Sequence, residues 1–145
     1  MGILTEYFAA TPERARAAAE TGPSDELEPL RCKFVDPAVL GGALWEVVRH
    51  GRLGSPRNAL YASAERVDTN DEFGPYLVRL KPDFVRELAA LPDERLLPVA
   101  TEWRTAEEWM GEPEVELIAE LVVELRRVAR AASGDGLDAY CWMCL

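Results

Sequence analysis

The apolar residues change period along the chain, and each change marks an element. Over residues 3–10, Leu4 and Phe8 alternate loosely with Thr5 and Tyr7, the period of a strand. Thr11-Pro12 then predicts an N-cap and a first helical position, followed by an Ala-rich helix over residues 13–20 that stops at Gly22-Pro23. Residues 23–29 read as a loop. Leu30, Cys32 and Phe34 alternating with Arg31 and Lys33 predict a short half-buried strand.

Asp36-Pro37 opens the clearest helix. Asp36 can accept from first-turn amides, Leu40, Leu44, Val47 and Val48 form one apolar face, and Gly51 supplies the stop. Inside it, Gly41-Gly42 would let another backbone come close. Residues 59–67 and 76–80 read as two strands of an antiparallel hairpin across the connector 68–75. A short helix carries Phe84, Val85, Leu88 and Leu91. A second piece, 93–99, is interrupted at Pro98 and leads into 101–110 with Trp103, Trp109 and Met110. The longest helix opens at Glu112-Pro113, with Val115, Ile118, Val122, Leu125, Ala129 and Ala132 spaced by threes and fours. Its acids precede its arginines, the order that complements a helix dipole. Residues 137–145 form a last strand. The expected architecture is α+β: a single domain over residues 1–145 with a mostly antiparallel sheet of about five strands. Both chain termini lie in strands, and helices cover one face.

Composition narrows the class. The chain has 145 residues, 48% apolar and 29% charged, which fits one globular domain and excludes a disordered or collagen-like chain. No stretch approaches the ~20 apolar residues of a membrane span, and the opening residues lack the pattern of a secretory signal. The net charge of −10 and pI near 4.6 argue against nucleic acid or an anionic membrane as partner. Arginines outnumber lysines fourteen to two and alanine occurs twenty times, as a GC-rich genome would give. Three cysteines without framework spacing point to free thiols in a reducing cytoplasm.

Candidate chemistry is sparse. Cys141 and Cys144 have the spacing of a redox or metal pair, but positions three apart in a strand face opposite sides, so Cys32, Cys141 and Cys144 read as packing thiols and no metal site is assigned. His50 is the only histidine and falls at a helix C-terminus, where it reads as a cap rather than a catalytic base. Glu107 and Glu108 beside Trp103 and Trp109 are the one carboxylate pair flanked by aromatic rings, although neighbouring helical residues point about 100° apart. Asp68, Asp71 and Glu72 lack the alternation of a calcium loop and read as solvated loop acids. No phosphate loop or nucleophile elbow is present, and no cofactor and no catalytic residue are assigned.

Three pieces resemble an uncharacterised family of small acidic actinobacterial proteins: the Tyr7-Phe8 strand, the Val35-Asp36-Pro37-Ala38-Val39-Leu40-Gly41 helix entry and the end Tyr140-Cys141-Trp142-Met143-Cys144. That family has no established activity, so the resemblance implies no functional residue. The expectation is a cytoplasmic interaction protein, immunity- or regulator-like, whose acidic surface meets a basic protein partner. Self-association is compatible with it. The alternative is a small-ligand binder or enzyme using Trp103, Glu107, Glu108 and Trp109.

Overall fold

A computed structural model describes residues 3–54 and 64–145. Five strands, β1 (Leu4–Ala10), β2 (Leu30–Lys33), β3 (Ala64–Arg66), β4 (Tyr76–Leu80) and β5 (Asp138–Cys144), form one antiparallel sheet in the order β2-β1-β5-β4-β3. Among the described residues five α-helices accompany it: α1 (Pro12–Ala17), α2 (Val39–His50), α3 (Pro82–Ala89), α4 (Asp93–Trp103) and α5 (Val115–Gly134). The fold is α+β, as expected, with strands near both chain ends. No helix of the described residues is long and apolar enough to cross a membrane.

Strand alternation divides the buried residues into two groups. Tyr7, Val78, Leu80, Ala139 and Cys141 face the main core with α2, α3, α4 and α5. The opposite face is not bare: Phe8, Leu77, Tyr140 and Trp142 pack with Ala15 and Ala18 at α1. Phe8 and Tyr140 pair across β1 and β5, their rings stacked at 5.7 Å. Trp142 donates its indole N–H to Ala19 O at 3.1 Å, which ties the end of the α1 segment to the sheet.

The caps form where the sequence places them. Thr11 Oγ1 accepts from Arg14 N, and the Asp36 carboxylate accepts from Val39 N at 2.5 Å and Leu40 N at 3.2 Å. Gly51, at φ 78°, closes α2 with its N–H on Val47 O. Only glycine adopts that left-handed geometry without steric cost.

Several boundaries differ from the sequence reading. The expected strand over 59–67 is seen from Ala64, and residues 59–63 lie outside the described residues. Pro98 does not interrupt its helix. α4 runs through it from Asp93 to Trp103, because Val99, Ala100 and Trp103 are driven into the core. The segment expected at 101–110 therefore splits, leaving a single 3-10 turn at Glu107–Trp109. Just before the Gly41-Gly42 pair, the Trp103 indole donates to Leu40 O at 2.9 Å. The arginines late in α5 do more than complement a dipole. Arg126 donates to Leu91 O, and Arg130 donates to Ala89 O and Leu91 O, satisfying carbonyls of the α3–α4 connection.

Candidate functional site

Of the four residues nominated from sequence, Trp103 and Trp109 meet at the end of α4, and Glu107 and Glu108 lie on the 3-10 turn that carries Trp109. Trp103 is fully buried, and both indole N–H groups are spent on main chain: Trp103 on Leu40 O and Trp109 on Trp103 O at 3.0 Å. The two rings meet edge to face at 5.1 Å, a geometry that favours cohesion. Trp109 is half-buried, so neither ring offers an open platform. Glu107 is exposed and Glu108 half-buried on the 3-10 turn.

The thiols behave as strand geometry requires. Cys141 is buried in the main core, while Cys144 points to the other face; all three cysteines are free. Burial pushes the Cys141 thiol well above its ordinary pKa, and burial likewise raises Cys32. Cys32 Sγ lies 3.1 Å from Thr5 Oγ1, a fully buried hydroxyl that also donates to Cys32 O. Tyr7, whose hydroxyl donates to Val35 O at 2.5 Å, is raised chiefly by burial as well. Tyr7, Cys32 and Cys141 are thus held away from the easily lost proton that nucleophilic chemistry needs. No group of three or more His, Cys, Asp or Glu among the described residues could hold a metal ion. The gap in the main core between Tyr7, Leu44, Phe84 and Trp103 holds about 10 Å³, space for a single water at most and none for a substrate.

Asp68 corrects the reading of the hairpin connector. Its side chain is fully buried, not solvated. Its carboxylate accepts from Leu77 N at 2.7 Å, Asn70 N at 2.9 Å and the Arg66 guanidinium through two bonds. Burial alone would raise its pKa; the donors of Arg66, Leu77 and Asn70 outweigh it and hold the carboxyl below its usual range. Asn70 Nδ2 completes the cluster on Ala19 O and Pro75 O. The role is structural.

Sequence reasoning missed Glu46. It lies on α2 within Leu44-Trp45-Glu46-Val47-Val48 and is 4% exposed as a whole residue. A carboxylate inside an apolar run is the signal that could have revealed it. Oε1 accepts the Gly54 amide, while Oε2 is buried with no hydrogen-bond partner. Beside it, Glu102 of α4 accepts the Leu53 amide at 3.1 Å, so two carboxylates hold consecutive amides of the chain leaving α2. Glu46 lines an open cleft of about 550 Å³ with His50, Arg52 and Gly54.

A second feature is a sorting of charge. Between Arg104 and Arg126 the sequence has seven acids (Glu107, Glu108, Glu112, Glu114, Glu116, Glu120 and Glu124) and no base. On α5, Glu116, Glu120 and Val123 share one exposed face by helical spacing. Exposed apolar side chains interrupt the acids: Met110 at 94%, Leu117 at 58% and Val123 at 39%. Elsewhere, Arg31, Arg49, Arg66 and Arg79 lie on carboxylates and Arg95 and Arg104 on main-chain carbonyls. Comparison with protein families, curated proteins and solved structures finds no match to this chain.

Proposed function

We propose that this chain is a small acidic cytoplasmic protein that binds a basic protein partner, in the manner of an immunity protein or regulator, without catalysis. The observation that carries the reading is the 105–125 stretch, where seven acids without a base surround the exposed Met110, Leu117 and Val123. Apolar side chains in a charged setting match the anatomy of a protein interface, and uniform negative charge speeds encounter with a cationic surface. The tightly engaged arginines support it further, because they leave the acidic excess facing outward.

A tagged copy used as bait in lysate of the native cell, eluted by rising salt and read by mass spectrometry, tests this reading. A basic protein recovered at near-equal amounts, and lost on substitution of Glu112, Glu116 and Glu120 by Gln, is the expected result. Capture of nothing at any salt overturns it.

A further inference from the structure

We propose that the cleft beside α1, on the sheet face opposite α5, binds a small monocarboxylate with a short apolar tail, its head held by Arg16 and Arg79. This site is independent of the basic-partner reading, which rests on the acids of residues 105–125.

Strand register builds the floor. Arg79 on β4 is the cross-strand partner of Glu65 on β3 and of Tyr140 on β5, so the three side chains stand in one row on one face of the sheet. Leu77, two residues before Arg79, shares that face and packs in the smaller core with Val67 beside it. α1 packs on the same face with Ala15. Between helix and strands runs a cleft of about 170 Å³, lined by Ala15, Val67 and Leu77 and by Arg16, Arg79 and Tyr140.

The lining carries two guanidiniums and no acid, in a chain with 26 acids against 16 bases. Arg79 gives an N–H to Glu65, an exposed pair that water keeps weak, and retains further donors. The exposed Arg16 side chain makes no hydrogen bond or ion pair among the described residues. Both guanidiniums act on the Tyr140 phenol, whose pKa burial and Asp138 raise and Arg79 and Arg16 pull down. The upward pull wins, so the phenol stays neutral and does not oppose an anion. A planar carboxylate matches the guanidinium fork with two parallel bonds. Glu65 and Asp138 at the margin repel a doubly charged phosphate, whereas the apolar floor rewards a hydrocarbon tail. The cleft is smaller than the ~300 Å³ at which drug-sized pockets begin, which limits the tail to a few carbons.

Titration of the ¹⁵N-labelled chain with pentanoate, acetate, pentan-1-ol or inorganic phosphate, followed at the Arg16, Leu77 and Arg79 amides, tests the proposal. Pentanoate is expected to shift these amides saturably. Acetate lacks the tail and pentan-1-ol the charge, so each should bind at least about tenfold more weakly. Arg16→Gln, at an exposed position, should weaken pentanoate at least about tenfold and leave pentan-1-ol unchanged. Arg79→Gln should do the same, and losing its exposed ion pair leaves the fold intact. The proposal is overturned by amides unmoved at about 10 mM pentanoate, an affinity too weak to matter. Acetate, pentan-1-ol or phosphate binding as tightly as pentanoate, or an undiminished pentanoate response in either arginine variant, also overturns it.

Discussion

The Asp68 carboxylate accepts the Leu77 amide at 2.7 Å across the β3–β4 hairpin, from a side chain wholly withdrawn from solvent. Replacing Asp68 by Ala would strand the Leu77 and Asn70 amides and release Arg66. We expect a loss of about 2–4 kcal/mol in chemical denaturation. The pH dependence has a definite sign. The folded carboxyl titrates below its unfolded value of about 3.9, so its contribution is complete above that pH and disappears as pH falls through the folded value. Asp68→Asn should therefore flatten the fall in stability below about pH 4, measured as a denaturation midpoint at each pH.

Tyr7 and Val35 make the corresponding test inside the core. Tyr7→Phe removes the donor to Val35 O and adds no volume, so about 1–2 kcal/mol should be lost with the near-ultraviolet spectrum otherwise retained. In alkaline titration of the native chain, Tyr7 should ionise only on unfolding, because burial holds its pKa up.

Thiol chemistry should separate the three cysteines. Cys144 precedes the exposed Leu145 and should react first with a disulfide reagent at pH 8. Cys32, raised by burial and held by Thr5, should follow more slowly. Cys141 should remain unmodified until denaturant is added. Mass spectrometry of timed samples gives the order, and early labelling of Cys141 would contradict the core described above.

Trp103 and Glu107 distinguish packing from surface within five residues of sequence. Trp103→Phe vacates part of a fully buried site and frees Leu40 O, with an expected cost of about 2–4 kcal/mol. Glu107→Gln, on the exposed turn, should change stability by less than about 0.5 kcal/mol. Equal effects would mean that the acid is part of the packing after all.

What the sequence could convey depended on whether a local rule was enough. Thr11, Asp36 and Gly51 act within a turn of their own position, and the caps they predict are present. The opposite orientations of Cys141 and Cys144 follow from strand period alone. Pro98 misled because burial of Trp103 outweighs one missing amide bond, a tertiary effect absent from any local window. Asp68 and Glu46 were missed for a related reason. Each carboxylate is organised by backbone amides several residues away, which only the closed turns supply. The nominated tryptophans were found correctly as neighbours, but their indole donors were already committed to main-chain carbonyls.

The position of β5 between β1 and β4 has a consequence for biosynthesis. Of the five strands the one synthesised last is central, and pairs such as Phe8 with Tyr140 join residues of the first strand to residues of the fifth. While the ribosome still covers residues 138–144, β1 and β2 can meet, as can β3 and β4, but the two hairpins have nothing between them. The nascent chain must wait with Phe8 and Leu77 uncovered, and the sheet closes in one late, long-range step. A chain cut short before Asp138 should stay open and be digested readily by proteases, whereas one carried through Cys144 and released from the ribosome should resist them.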